Sequence, residues 1–116
     1  MQISKDELDA GRVLAGFDGE TALDASTTDS LREALAELGE HYDRVIIDFS
    51  NVRFLDSSAL GAFVALLRKL NQKGGSLRLA ALRPGVKMIF EVTRLDRVFS
   101  SADTVDEAIA SAAAAS

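Results

Sequence analysis

Asp56, Ser57 and Ser58 stand together where an apolar run, Val45-Ile-Ile-Asp-Phe-Ser-Asn-Val-Arg-Phe-Leu55, gives way to a helical pattern beginning at Ser57. A strand, a short loop and a helix start put one carboxylate and two hydroxyls at the positive end of a helix dipole. A hydroxyl placed there can cap the helix, attack as a nucleophile or accept a phosphate. Asp and Ser are preferred N-cap residues, so capping alone explains one of the three side chains. Two hydroxyls exceed what one cap requires. The small residues Ala59, Gly61 and Ala62 leave the helix surface open to another protein.

A phosphate on Ser57 suits this corner. Free N–H groups and the dipole favour an anion at a helix N-terminus, while Asp56 opposes it by like-charge repulsion. The modification adds about −1.5 to −2 charges, which matter most to a partner docked on that surface.

Other chemistries find little support. His41, the only histidine, falls at the end of the first expected helix beside Tyr42, where it faces the negative end of the dipole. A Ser-His-Asp hydrolase would need His41 beside Ser57 or Ser58, and the serines lack the G-x-S-x-G elbow. No phosphate-binding loop, dinucleotide fingerprint or metal-ligand spacing occurs. An aspartate-phosphorylated receiver would need an acidic cluster around Asp48, and the first strand is not followed by an acidic pair. No catalytic residue, metal or cofactor is expected.

The bulk composition agrees with a binding module. The chain has 116 residues, 47% of them apolar, enough for one domain spanning residues 1–116 with a real core. Its net charge of −5 argues against nucleic acid or an anionic membrane as partner. There is no cysteine. The polar N-terminus lacks a signal-peptide segment and no run reaches membrane-spanning length, so the cytoplasm is the expected setting. No coiled-coil pattern demands a dimer; a monomer or weak dimer is expected.

Alternating patterns place the corner in an α/β fold. Arg12–Phe17 reads as a strand turning at Asp18-Gly19, with a weaker strand near Ile3 to Leu8. Ser26 to Asp29 opens a helix along Leu31, Ala34, Leu35 and Leu38, with Gly39 as its stop. Val45–Ile47 with Phe49 suits a strand covered on both faces. Leu60, Phe63, Val64, Leu67 and Leu70 form a helical stripe ended by Gly74-Gly75. Leu77, Leu79 and Ala81 alternate as a strand, and Pro84 opens a third helix with Val86, Ile89, Phe90 and Val92 on its apolar face. Arg97–Phe99 is read as a short edge strand. Thr104 and Glu107 form a capping box for a last helix, and the tail from Ala110 is read as its fraying end. Strands alternating with helices predict a mostly parallel sheet.

The run from Val45 through Asp56-Ser57-Ser58-Ala59-Leu60-Gly61 is similar to the signature of STAS domains, closest to the stand-alone bacterial anti-sigma-factor antagonists. Gly74-Gly75-Ser-Leu-Arg-Leu, Val86-Lys-Met-Ile-Phe-Glu-Val, Leu95-Asp-Arg-Val-Phe and Glu107-Ala108 extend the resemblance over residues 12–110. It implies a mixed, mostly parallel sheet of four or five strands, with about four helices packed mainly on one face. It also implies partner switching. The unphosphorylated form binds an anti-sigma factor that is a GHKL-type serine kinase, phosphorylation on the serine after the motif aspartate ends the complex, and a PP2C-type phosphatase resets it. Carried over, the acceptor is Ser57, with Ser58 as second choice. Asp24, Thr27, Asp56, Ser58, Ala59, Leu60, Gly61 and Ala62 become partner-facing. Two departures stand out: Thr21-Ala22 interrupts the Gly-Glu-Leu-Asp segment at Gly19-Glu20 and Leu23-Asp24, and Ala59 replaces a common glycine. A scaffold subunit of a stressosome or a lipid-transport accessory subunit is the alternative within the same superfamily.

Overall fold

The computed structural model describes residues 2–114. Seven strands and four α-helices follow in the order β1 (Ile3–Asp9), β2 (Arg12–Phe17), β3 (Thr21–Leu23), α1 (Thr28–His41), β4 (Arg44–Asp48), β5 (Val52–Leu55), α2 (Ser57–Gln72), β6 (Ser76–Ala80), α3 (Pro84–Val92), β7 (Ser100–Ala102) and α4 (Val105–Ala114). The main sheet has five strands in the order β1-β2-β4-β6-β7. Only β1 and β2 pair antiparallel; β2-β4, β4-β6 and β6-β7 are parallel. This is the mixed, mostly parallel sheet expected.

Alternation along β4 sorts the two faces. Val45 and Ile47 join the main core with Leu31, Leu35 and Leu38 of α1, Phe63, Leu66 and Leu70 of α2, and Val86 and Phe90 of α3. Ile46 points the other way and packs with Ala80 of β6 and Ala108 of α4. Three helices therefore lie on one face and α4 on the other, which explains the unbroken apolar run of β4. Phe49 ties the main core together, with ring centroids 5.1 Å from Phe63 and 6.2 Å from Phe90. The spacing favours offset and edge-on aromatic contacts.

Several sequence expectations are corrected. Gly39 does not stop α1, which runs on to His41. It is buried, and a Cβ there would lie 3.0 Å from both Leu66 Cδ1 and Lys69 Cδ, so the missing side chain lets α1 and α2 approach. Val92 does not belong to the apolar face of α3; it is 77% exposed. Arg97–Phe99 is not an edge strand. Leu95–Arg97 forms a short 3-10 turn, entered through Arg94 at φ +63°, and the edge strand starts at Ser100. Ala81 leaves β6 in the left-handed region at φ +58°. The helical tail is observed through Ala114, and residues 115 and 116 lie outside the described residues.

Two elements had no expectation behind them. β3 and β5 pair in parallel as a separate two-stranded ribbon, with Ala22 opposite Phe54 and Leu23 opposite Leu55. Each is too short for its period to stand out. The ribbon sets the site, because Asp56 N–H donates to the Leu23 carbonyl oxygen at 3.0 Å. That bond joins the segment before α1 to the residue that starts α2.

Candidate functional site

Asp56 is the N-cap of α2, in extended backbone, and its Oδ1 accepts from Ala59 N–H at 3.0 Å. The same oxygen accepts from the Ser58 hydroxyl at 2.6 Å. These hydrogen bonds favour the ionised carboxylate and hold its pKa below the ordinary aspartate value, the Ser58 hydroxyl contributing most and the Ala59 amide next.

Ser58 is also bound from α1. Its Oγ lies 2.8 Å from Thr28 Oγ1, across 30 residues of sequence. An ionised carboxylate only accepts, so Ser58 spends its single hydroxyl hydrogen on Asp56. Thr28 is then the donor in the contact with Ser58. Thr28 Oγ1 also stands 2.8 Å from the Asp24 carbonyl oxygen, so its hydrogen is shared between two acceptors. That carbonyl has other donors, Thr27 N–H at 3.0 Å and Thr27 Oγ1 at 3.1 Å. The result is a relay from Thr28 through Ser58 to Asp56, directed toward the negative charge.

Ser57 differs from its neighbour. It is exposed, and its hydroxyl has no hydrogen-bond partner among the described residues. Ser58 is half-buried with both of its roles occupied. One hydroxyl is therefore structural and the other is available.

The remaining expected site residues divide. Asp24 and Thr27 lie beside the corner, half-exposed, in a turn where Asp24 Oδ1 accepts from Ser26 N–H at 3.0 Å and from the Ser26 hydroxyl. Gly61 is exposed. Ala59, Leu60 and Ala62 are corrected: they are 0%, 6% and 3% exposed and form part of the protein's own core, leaving little side-chain surface for a partner. The stripe of α2 that starts at Ala59 packs inward on the sheet, so the small residues serve packing rather than docking. Sequence reasoning missed Thr28, which bonds to Ser58, and Phe54, which is 47% exposed on β5 three residues before Ser57. A threonine at a helix start carries no signal of a partner thirty residues away. Phe54 did carry a signal: it is an aromatic residue two positions before the motif aspartate, directly after Arg53.

His41 takes no part in the site. Its Nδ1 lies 3.0 Å from the Glu37 carbonyl oxygen at the far end of α1. With 1.5 Å of rise per residue, it stands roughly 20 Å along the helix from Thr28. Asp48 Oδ1 accepts from Ser50 N–H at 2.9 Å, a turn contact. Among the described residues, no group of three His, Cys, Asp or Glu side chains is placed to hold a metal ion, and no helix is long and apolar enough to cross a membrane.

The STAS domain family model matches residues 16–108. A Bacillus subtilis protein named anti-sigma-B factor antagonist is 33% identical over 73 residues, which cover 63% of this chain and 67% of that protein. Against two Thermotoga relatives, each 31% identical over 72 residues, the chain spans 64% of their length. Among solved structures, an anti-sigma-factor antagonist (STAS) domain protein from Planctomyces limnophilus superposes with a TM-score of 0.86 at 20% identity, covering 96% of this chain and 97% of that one. The Bacillus cell fate determinant SpoIIAA in its phosphorylated form gives a TM-score of 0.70 at 21% identity, covering 93% of this chain and 96% of that one. These two share the fold. The family match runs from β2 to α4 and contains the whole Asp56-Ser57-Ser58 corner, and the chain belongs to the STAS domain family.

Proposed function

We propose that this protein is an anti-sigma factor antagonist controlled by phosphorylation of Ser57. The observation that carries the reading is the contrast at the start of α2: Ser57 is exposed and unengaged, while Ser58 and Asp56 are locked together. The relative named anti-sigma-B factor antagonist and the phosphorylated SpoIIAA supply the precedent. In this reading residues 1–116 act as one STAS domain in the cytoplasm, by binding and not by catalysis.

The unphosphorylated form binds an anti-sigma factor that is also a GHKL-type serine kinase. The docking surface consists of Ser57, Gly61, Asp24, Thr27 and the exposed ring of Phe54. Transfer of the γ-phosphoryl group of ATP to Ser57 Oγ releases ADP and the hydroxyl proton. The product carries about two more negative charges on a surface already holding the Asp56 carboxylate. A contact built on close packing there loses affinity through like charge and desolvation. The fold is unaffected, because Ser57 contributes no side-chain hydrogen bond to it. A PP2C-type phosphatase restores the hydroxyl.

The test is to mix the protein with a GHKL-type anti-sigma kinase, add ATP and magnesium, and map the phosphate by mass spectrometry while following the complex by gel filtration. Phosphate on Ser57 with loss of the complex is expected. Phosphate elsewhere, or none, overturns the reading.

A further inference from the structure

The helices α1 and α2 lie side by side with their N-termini at the same end, joined by the Thr28–Ser58 hydrogen bond of 2.8 Å. One turn into α1 stands Arg32; one turn along α2 from Ser57 stands Gly61. A Cβ built on Gly61 would lie 3.8 Å from an Nη of Arg32, so the guanidinium rests against the α2 surface at that glycine. Residues four apart share a helix face, so Gly61 marks the face that carries Ser57, about 6 Å away along the axis. Arg32 lines the groove between the two helices with Ala36, Ala62, Ala65 and Lys69, and the lean of helix side chains toward the N-terminus leaves its guanidinium free to swing to the Ser57 end.

Arg32 is exposed and makes no ion pair among the described residues. At the other end of the helix pair Lys69 pairs with Glu40 at 3.6 Å, and Lys73, just past α2, pairs with Asp43 at 3.5 Å. The first turn of α2 contains no acidic residue that could claim Arg32. We propose that Arg32 is the internal counter-ion of a phosphate on Ser57, received across the helix pair over Gly61. This rests on the phosphorylation reading above and adds where the new charge goes. A guanidinium fork suits phosphate oxygens in a bidentate arrangement. The glycine keeps the path between cation and phosphate clear of side-chain atoms. The pairing offsets repulsion from Asp56, and from Asp24 and Asp29 beside the same corner. It also engages a free cation at the Gly61 edge of the docking surface at the moment the phosphate arrives, so one modification changes two features of that edge.

The experiment uses the full chain carrying phosphoserine installed at position 57 during translation, and needs no kinase. The second ionisation of the phosphate is followed by phosphorus NMR against pH. A nearby cation favours the dianion and lowers that pKa. In the parent chain it should lie about half a unit below its value in Arg32→Gln, as expected for an exposed pair. Arg32→Lys, which keeps the charge but loses the fork, should fall between the two. Arg68→Gln, removing an exposed cation elsewhere on α2, should match the parent. Equal pKa values in the parent and Arg32→Gln would overturn the inference, as would an equal shift in Arg68→Gln, which would mean diffuse charge. These outcomes are separate from the kinase assay: phosphate mapped elsewhere there defeats the phosphorylation reading, whatever the titration of position 57 shows.

Discussion

The hydroxyls of Thr28 and Ser58 meet at 2.8 Å where the N-termini of α1 and α2 come together. Thr28 is only 9% exposed, and it is the one buried polar side chain among the described residues. Its bond makes the start of one helix depend on the start of the other. It also separates two adjacent serines into one that holds the fold and one that faces out.

Thr28→Val keeps the shape of the side chain and deletes the donor. Ser58 then loses the hydrogen bond it accepts while keeping the one it donates. The loss should be about 1 kcal/mol, read as a lower denaturant midpoint with an unchanged slope. Thr28→Ser should recover most of it. A valine variant as stable as the parent would show that the relay carries no stability.

The Asp56 cap gives the fold a pH dependence of known sign. Its native pKa is below the unfolded-state value, chiefly through the Ser58 hydroxyl and then the Ala59 amide. Its contribution is therefore fully present above the ordinary aspartate pKa and disappears as pH falls through the lowered native value. A carbon-detected NMR titration should find Asp56 titrating below the ordinary aspartate value. Ser58→Ala should raise the Asp56 midpoint. No change in that midpoint would remove the hydroxyl as the main cause.

At Ser57, alanine and aspartate should part ways. Ser57→Ala deletes an unengaged hydroxyl, so stability and kinase binding should match the parent while phosphorylation disappears. Ser57→Asp adds charge to the proposed docking surface and should raise the Kd at least about ten-fold, a loss of about 1.4 kcal/mol or more. Isothermal titration with the anti-sigma kinase measures both. If the aspartate variant binds as tightly as the parent, charge is not the switch.

Gly75 is required by a close approach rather than by its backbone angles. A Cβ there would fall 1.9 Å from the Asp43 carbonyl oxygen, which accepts from Ser76 N–H at 2.9 Å. Gly75→Ala must push β6 away from the residue leading into β4, and overpacking of this kind costs about 1–3 kcal/mol. Gly74→Ala is strained differently, through φ +76° with open space around it. Thermal unfolding should rank both below the parent, and only Gly75→Ala should shift the amide signals of Asp43 and Arg44.

The strongly periodic segments were legible from the chain. Leu31 to Leu38 and Leu60 to Leu70 have helical spacing over about two and about three turns, and β4 declares its double burial through Val45-Ile-Ile47. The misreadings came from short or locally ambiguous pieces. Gly39 has the residue type of a helix stop, yet contact with Leu66 and Lys69 explains it. Arg97–Phe99 carries strand-forming residues, yet Val98 N–H and Phe99 N–H both turn back to the Leu95 carbonyl oxygen, at 3.0 and 2.9 Å. The burial of Ala59 and Ala62 reversed their expected role, because residue size does not tell which side of a helix meets the core.

What the sequence by itself determined is the local chemistry: an aspartate cap, two following hydroxyls and a helix behind them. Neighbouring residues supply these features, and capping acts within three or four positions. Only the tertiary structure decided which hydroxyl is free. That choice depends on Thr28, thirty residues away, and on Leu23 holding Asp56 through the β3–β5 ribbon. It also brought Arg32 over Gly61. Contacts between helices follow from how their faces pack on the sheet, and that register is a property of the assembled core, not of any one segment.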